Sequence, residues 1–484
     1  MKILKPKSEN EIQDIIKDAV NAATPTIVRV IGSNHSWSRA IFDAKDIPKT
    51  TNVKFISLTN LRGVEKFEPT SEQTATVTVW AGTNIGKDPR DKDSTLENSL
   101  TYQLDQHGYS LPDTGGISHQ TVGGFLSTGS AGGSLVHSID EAVIGIRLID
   151  GTGTIHDLTE KDNDKFLAAG VSMGLLGIIT KVTFKLQKKF YITGIQTISP
   201  IKPLSRDINV GCPIDFFGIG DKDQGIPSIS EFFSNNRDYD TDYSRILWWP
   251  QDGLDRVSIW KAKKISDNNG PIDHFKQPSI FIQFFGKVIL AFLNVIEFPG
   301  KIYNKIAAFL LKNFSEIGVE YFQDRWWNGL PMDNDICDQI LPVAFTELWI
   351  SFDKTKDVMN KLQELFTNEP KSVGNFITEI YTAKKSRFWL SPAYERDVIR
   401  IDPFYFLGNL RGTPEDHFRF YWNALKEYNF RCHWGKYTPD EYGNEVPGLF
   451  SKYENWMAIR QEMDPHQIFV TPYWRSRLTI PNIN

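Results

Sequence analysis

The run from Thr26 to Ile31 is rich in β-branched residues, breaks at Gly32-Ser33-Asn34 and continues at once into His35-Ser36-Trp37. β-Branched residues favour an extended strand and a Gly-Ser-Asn sequence favours a tight turn. The chain must therefore leave a strand through a turn whose backbone N–H groups can cradle a pyrophosphate. His35 emerges at the end of that loop. A histidine beside a turn has two readings, a surface or capping residue or a ligand-bearing imidazole.

A second constraint lies between Pro112 and Gly133, where eight of twenty-two residues are glycine or alanine. Small residues at this density let the main chain approach a large planar or anionic ligand closely. Ile117, Val122, Phe125 and Leu126 punctuate the glycines, so the segment reads as a buried system of loops and turns and not as a solvated tether. No Gly-x-Gly-x-x-Gly opens a helix after a first strand and no Gly-x-x-x-x-Gly-Lys-Ser/Thr occurs, which argues against Rossmann and P-loop readings.

With 484 residues the chain has room for about two or three domains, and 40% hydrophobic with 13% aromatic content excludes disorder. A net charge of -5 without a concentrated basic face excludes a nucleic-acid partner. Cys212, Cys337 and Cys432 are too widely spaced for a disulfide framework or a Cys-x-x-Cys metal pattern, so no metal is expected. The amino terminus shows no signal core: Ser8-Glu9-Asn10-Glu11, followed by Ile12, Ile15, Ile16 and Val20, reads as a capping box opening an amphipathic helix. The expected location is cytoplasmic or membrane-associated. Ile280 to Phe298, with only Lys287 and Glu297 charged, is borderline for a membrane span, and a second apolar pattern runs from Ile302 to Phe314. Residues 280–314 read either as a helical hairpin packed on protein or as an element that also touches a membrane surface.

The patterning of residues 1–188 predicts helices near 8–22 and 94–107 and strands near 26–31, 53–57, 73–81, 142–150, 153–157 and 178–186, with a hairpin turn at Asp150-Gly151. The expected class is α+β, with a boundary near 189 before Pro200, Pro203 and the Gly218 to Pro227 loop. Residues 189–463 hold most of the tryptophans and the apolar run Val343 to Phe352, which predicts an antiparallel sheet with helices over it. Most of that aromatic density reads as core, with a few rings left for a pocket. In Ile377 to Thr382, alternation puts Glu379 and Tyr381 on one face and Thr378, Ile380 and Thr382 on the other. In Arg431-Cys432-His433-Trp434-Gly435-Lys436, alternation sets His433 apart from Lys436, and a solvent-facing strand end explains the group as well as a site does.

The Gly32–Ser36 turn, the 112–133 stretch and Gly174-Leu175-Leu176-Gly177-Ile178-Ile179-Thr180, in that order, resemble the FAD-binding domain of the vanillyl-alcohol oxidase flavoprotein superfamily. The resemblance implies a PCMH-type FAD-binding domain of two subdomains over 1–188, a cap domain over 189–463, and a closing segment, 464–484, whose Asp464-Pro465 start returns to the flavin domain. It implies FAD held by Ile31, Gly32, Ser33, Asn34, His35, Ser36, Gly115, Gly116, Gln120, Gly123, Gly124, Ser127, Gly129, Ile178 and Ile179. It also implies a covalent bond from His35 to the flavin 8-methyl group, since a neutral imidazole is a competent nucleophile. Some relatives add a second link through a cysteine near 115–121, and Ile117, Ser118 and His119 here imply a single one.

His433-Trp434-Gly435-Lys436 resembles the motif near the carboxyl end of the aldonolactone oxidase and alditol oxidase branch. In that branch the lysine lies at the flavin and a Glu-x-Arg pair orients lactone or polyol hydroxyls. Lys436 and Glu379 carry over, but Tyr381 stands where the arginine is expected and cannot supply a charged bidentate donor. Ala131 replaces the histidine of a Thr-His-Gly loop. The resemblance implies an oxidase that takes a hydride from a C–OH carbon of a sugar lactone or polyol, with Lys436 stabilising negative charge, Glu379 accepting a hydroxyl proton or hydrogen bond, and Tyr381 as neutral donor. Gly115, where an alanine-sized side chain hinders oxygen, implies O2 as acceptor and H2O2 as product. The two departures leave room for a bulkier alcohol, such as a sterol or another secondary metabolite, or for a flavin-binding relative without catalysis.

Overall fold

A computed structural model describes residues 3–482 except 235–240, 267–269, 278–279, 296–304, 307, 310, 313–314, 337–339, 375 and 409–411. Its first helix, Glu9–Val20, starts where Ser8 accepts a hydrogen bond from the Glu11 N–H (3.2 Å), and its apolar stripe buries Ile12, Ile16 and Ala19. The Glu11 carboxylate accepts from the N–H of Lys7 (2.8 Å) and not from Ser8, so the expected box closes one residue early.

Among the described residues, eighteen strands form three sheets. β1 (Ile3–Leu4), β2 (Thr26–Val30) and β3 (Asn52–Ile56) run parallel in the order β1-β3-β2. β4 (Val64–Pro69), β5 (Thr74–Trp80), β6 (Tyr109–Ser110), β7 (Val143–Ile149), β8 (Ile155–Thr159) and β9 (Ile178–Lys188) form an antiparallel sheet in the order β4-β5-β9-β7-β8, with β6 also on β9. In β5, Ala75, Val77 and Val79 are fully buried while the threonines between them are half-buried, the period of a strand with one dry face. At the β7–β8 turn the Asp150 carboxylate accepts from the N–H groups of Thr152 (2.8 Å) and Thr154 (2.9 Å). The helix expected near 94–107 is confined to Leu100–Gln106, because the Asp91 and Asn98 side chains accept from the N–H groups of Asp93 and Thr95 and hold turns instead.

After Lys189 and Phe190 the chain enters a third, antiparallel sheet of β10 (Tyr191–Pro200), β11 (Tyr243–Trp249), β12 (Arg256–Ile265), β13 (Gly318–Arg325), β14 (Val343–Phe345), β15 (Leu348–Ser351), β16 (Thr378–Ala383), β17 (Val398–Phe406) and β18 (Arg431–Cys432). Their order is β13-β10-β12-β11-β16-β17-β15-β18, with β14 also on β17. The helices Thr355–Asn368 and Pro414–Leu425 cover one face: Phe366 meets Trp248, and the Thr378 and Tyr421 hydroxyls are hydrogen-bonded at 3.1 Å. The apolar run Val343 to Phe352 is two strands and not one. Thr346 breaks it by donating its hydroxyl to the Tyr437 carbonyl (2.7 Å) and accepting from the Trp422 indole N–H (3.0 Å). Helix Ile280–Val295 covers part of the first long apolar stretch, whose end, like much of 302–314, lies outside the described residues, as does Cys337. No helix among the described residues is long and apolar enough to cross a membrane.

The carboxyl-terminal segment is tied to β2. The Val28 N–H donates to the Ile468 carbonyl (2.7 Å), and the Asp464 carboxylate accepts from the N–H groups of Ile468 (3.0 Å) and Phe469 (3.1 Å). Beside them the buried Arg29 guanidinium donates to the carbonyls of Ala40, Ile41 and Met173, each at 3.2 Å, and of Phe469 at 3.3 Å. Burial pulls its pKa down to about 10, which leaves it a cation at neutral pH. Arg29→Met takes the side-chain donor from the carbonyls of Ile41, Met173 and Phe469, Ala40 keeping the Trp474 indole N–H (2.9 Å), and is expected to cost about 3–5 kcal/mol. Urea unfolding reads this as a lower midpoint at constant slope; an unmoved midpoint would contradict it.

Candidate active site

A cavity of about 1110 Å³ lies between the first two sheets and the third. That exceeds a common small-molecule pocket of roughly 300–1,000 Å³ and gives room for a large cofactor beside a substrate. One wall begins at the turn after β2, where Asn34 sits at φ +59°. Ser33 Oγ donates to the His119 carbonyl (2.7 Å), and the Asn84 amide donates to Ser33 Oγ (3.0 Å) and to the same carbonyl (2.8 Å). Arg90 donates to the Ser33 carbonyl. Two loops far apart in sequence are thereby held together, with the rings of His35 and His119 5.4 Å apart. Burial, and then the charges of Arg90, His119 and Lys436, push His35 down to about 2, so its imidazole is neutral.

Of the residues expected to hold a cofactor, Ile31, Gly32, Ser33, Asn34, His35, Ser36, Gly115, Gly116, Gln120, Gly123, Gly124, Ser127, Ile178 and Ile179 line this cavity. A Cβ at Gly32 would lie 2.7 Å from Thr121 Oγ1, so only glycine lets the two loops close. Gly129 does not line it. It takes φ +71° at the turn after helix Val122–Ser127, where a Cβ would strike Pro392 at 2.9 Å, and its role is to end that helix. The N–H groups of Val122, Gly123 and Gly124 are taken by Thr83, Ala81 and Thr121. Those of Gly32, Ser33, Asn34 and Ser36 have no acceptor among the described residues, and neither Gln120 Oε1 nor Thr59 Oγ1, both buried in the wall, has a partner there. Unspent donors at one turn, unpartnered polar atoms and a neutral imidazole fit a dinucleotide with an isoalloxazine ring.

The facing wall is the open face of the third sheet. Glu379 and Tyr381 both line it, and the Tyr381 hydroxyl is hydrogen-bonded to Glu379. Register brings further charges that the sequence reading missed. Leu247 on β11 pairs with Glu379, and on β17 Asp402 pairs with Glu379 and Arg400 with Tyr381. Arg245 Nη1 lies 2.6 Å from Asp333 Oδ1 and 3.5 Å from Glu379 Oε1. Arg400 Nη2 lies 2.6 Å from Glu347 Oε1, its Nη1 donates to the carbonyls of Ala131 (3.2 Å) and Gly132 (3.0 Å), and its guanidinium sits 4.7 Å over the Tyr381 ring. The available signal was an isolated charge at period two in an otherwise apolar strand: Arg245 before Leu247 and Trp249, Arg400 before Asp402.

Burial, and then the charge of Asp333, raise Glu379 to about 7 against the opposing pull of Arg245. Asp402 is raised well above the carboxylate range by burial and by Glu347, whereas Glu347 is held ionised, the combined pull of Arg400, His433 and Lys436 exceeding the effect of burial. The 431–436 segment differs from its expected alternation: the strand ends at Cys432, and a turn closed by the Lys436 N–H on the His433 carbonyl (3.1 Å) brings both side chains into the cavity. It is not a solvent-facing end, because His433 is buried. Its Nδ1 accepts from the Gly435 N–H (3.0 Å), so Nε2 carries the proton toward Ser130 Oγ (3.1 Å), next to Ala131 where the resemblance places a histidine. Lys436 Nζ stands 3.7 Å over the Phe345 ring, and the Trp37 N–H donates to the Gly435 carbonyl (2.7 Å), which joins this turn to that of His35.

The family model described as D-arabinono-1,4-lactone oxidase matches residues 221–477, more than half of the chain, and the FAD binding domain model matches residues 2–159. The chain belongs to the D-arabinono-1,4-lactone oxidase family. This family member is an FAD-dependent oxidoreductase with an α+β, PCMH-type fold. It is 24% identical over 481 residues to L-gulonolactone oxidase of Bos taurus, covering 97% of this chain and 93% of that protein. It is 23% identical over 480 residues to L-gulono-1,4-lactone dehydrogenase of Mycobacterium tuberculosis, covering 98% and 95%. The structure of cholesterol oxidase from Brevibacterium sterolicum matches with a TM-score of 0.70 at 14% identity, over 98% of this chain and 94% of that one, a likeness of fold.

Glu379 and Asp402, two of the carboxyls raised by burial, are expected to differ in infrared difference spectra taken against their amide variants. A protonated-carboxyl band should fade as pH rises through about 7 and vanish in Glu379→Gln, while a second, lost in Asp402→Asn, persists at neutral pH. A neutral-pH difference spectrum between the unaltered protein and Asp402→Asn without a buried carboxyl band would contradict the arrangement, Asp113, raised by burial to about 8, contributing equally to both.

Proposed function

We propose that this chain oxidises a C–OH carbon of a sugar lactone or polyol to a carbonyl, with FAD joined covalently to His35 and O2 reduced to H2O2. The observation that carries this reading is the gathering of Arg245, Glu379, Tyr381 and Arg400 on the wall facing His35, with Lys436 on a turn tied to that of His35. Residues 1–188 and 464–484 serve the cofactor, and 189–463 shape the substrate side. FAD, when bound, supplies the acceptor for the hydride and its electron pair and passes two electrons with two protons to O2. Glu379, poised near pH 7, takes the hydroxyl proton, and Tyr381, a neutral phenol whose one O–H donates to the Glu379 carboxylate, is released by that protonation to donate to a substrate oxygen. Arg245 and Arg400 supply the charge that position 381 lacks. Lys436 offers a fixed cation to negative charge that develops beside His35. The relatives' names divide between oxidase and dehydrogenase, and Gly115 favours oxygen: it lines the cavity without a side chain, where a Cβ would meet Phe125 at 3.0 Å.

Acid-precipitated protein is expected to keep its yellow colour in the pellet, with His35→Ala, but not His119→Ala, releasing it. Under anaerobic conditions an aldonolactone or polyol from a panel should bleach the flavin, faster as pH rises through about 7, with Lys436→Met slowing bleaching about tenfold or more. Bleaching by none of the panel overturns the substrate reading, and free flavin from the unaltered protein overturns the bond.

We propose also that helix Ile280–Val295 rests on an anionic lipid surface. Phe281 (74%), Phe284, Phe285 (63%), Val288 and Phe292 are exposed, an apolar area that water disfavours. The sequence of residues 280–314 carries Lys287, Lys301, Lys305 and Lys312 against a single acidic residue, Glu297, in a chain of net charge -5, which suits an anionic bilayer. The protein should sediment with phosphatidylserine-containing vesicles, less with phosphatidylcholine alone, and less again as Phe284→Ser/Phe285→Ser. Equal recovery in the supernatant with and without vesicles would overturn this.

A further inference from the structure

Pairing register sorts the cavity wall into rows. On β11 the lining residues are Arg245, Leu247 and Trp249; on β16 and the residue before it, Ile377, Glu379 and Tyr381; on β17, Arg400, Asp402 and Phe404. The pairs Leu247–Glu379, Glu379–Asp402 and Tyr381–Arg400, with the Phe404 N–H donating to the Ile377 carbonyl (3.0 Å), align them. The inner row is Arg245, Tyr381 and Arg400; the middle row Leu247, Glu379 and Asp402; the outer row Trp249, Ile377 and Phe404. Four strand residues separate inner from outer row, about 14 Å. Over that distance the wall changes from guanidinium and phenol to hydrocarbon.

The outer row continues sideways as an aromatic shelf, because Phe345 pairs with Phe404 and their rings stack at 4.8 Å. Leu311 shares a buried apolar cluster with Trp249 at one end of the row, and Ile282 and Leu341 also line the cavity. A lactone or polyol carries hydroxyls on all sides and finds its partners in the inner two rows. Contact with the outer row gives such a molecule nothing, and leaving that surface wet is unfavourable. Arg245 Nε and Asp402 Oδ1 are buried in the inner rows without partners among the described residues, so the polar end also has unspent groups for a head rich in hydroxyls. Helix Ile280–Val295 lends Ile282, Gln283 and Gly286 to the cavity while exposing Phe281, Phe284 and Phe285.

We propose that the substrate is an amphiphile, a hydroxylated head oxidised at the ionic rows and carrying a hydrocarbon tail that lies along Trp249, Ile377 and Phe404. This rests on the lactone or polyol reading of the head and adds the tail to it. The redox step is unchanged: the head loses a hydride and a proton, and O2 gains them as H2O2. A tail buried against these residues tightens binding by about two- to fourfold per methylene until the shelf is filled.

The test uses the holoenzyme under anaerobic conditions with an aldonolactone that bleaches it and that lactone's primary-hydroxyl esters of acetic, butyric, hexanoic and octanoic acid, below their micelle concentrations. The concentration for half-maximal bleaching rate should fall stepwise with chain length, and in Phe404→Asp the ratio of lactone to octanoyl ester should collapse toward one. The series in the unaltered protein decides the matter if that variant does not fold. Half-saturation independent of chain length, with the free lactone active, overturns the tail and leaves the head reading standing. Bleaching by no member, free or acylated, overturns the head reading and the tail with it. A chain-length dependence found only in the isoprenoid tail of a quinone acceptor also overturns the proposal.

Discussion

Burying charge is what this structure must manage before anything else. Arg245, Arg400, Glu347, Glu379 and Asp402 are all buried around one end of a sheet, where a lone ion costs several kcal/mol. The set is tolerable because its members divide the roles. Glu347 stays ionised against Arg400, Asp402 keeps its proton, and Glu379 lies between, balanced by Asp333 on one side and Arg245 on the other. Two carbonyls from the small-residue loop, Ala131 and Gly132, complete the shell of Arg400. That loop is therefore small for the sake of the cap as well as the cofactor side: a Cβ at Gly132 would lie 2.2 Å from the Thr114 carbonyl oxygen.

Backbone bonds also hold the two walls at their spacing. The Trp37 N–H donates to the Gly435 carbonyl, the Ser244 N–H to the Gly133 carbonyl (2.8 Å) and the Lys384 N–H to the Ser134 carbonyl (2.9 Å). Each bond joins a loop of the first two sheets to a strand or turn of the third. Trp434 anchors the far side of its turn by donating its indole N–H to the Leu390 carbonyl (2.6 Å). Lys436 is thus presented toward the His35 turn by a rigid backbone, and its ammonium, set over the Phe345 ring, has little freedom to wander. A preorganised cation acts on developing charge without reorganising first.

Local features were legible in the sequence because local chemistry dictates them. The strand leading to the His35 turn, the cap at Ser8, the Asp150 turn and the alternation that points Glu379 and Tyr381 together follow from propensity and period. What escaped depends on partners distant in the chain. Arg245, Arg400 and Asp402 become one cluster only through the register of three strands, and Glu347 was hidden inside an apolar run that Thr346 breaks by bonding two distant groups. Alternation failed at His433 because the strand stops one residue earlier and a turn replaces it. Gly129 was misread because a glycine needed for a left-handed turn looks the same in sequence as one needed for close approach.

Tyr381 then reads as charge moved and not charge lost. An arginine at that position would stand in the inner row between Arg245 and Arg400, three guanidiniums in a medium of low dielectric, and repulsion between neighbours would exceed what the ionised carboxylates offset. A phenol avoids this. Its ring takes the Arg400 guanidinium at 4.7 Å, its hydroxyl bonds Glu379, and the absence of a side chain at Gly116, where a Cβ would come within 3.2 Å of that hydroxyl, leaves it room. The flanking strands carry the cations instead, one on each side: the Arg400 fork is spent on Glu347 and on the carbonyls of Ala131 and Gly132, while the Arg245 Nε has no partner among the described residues.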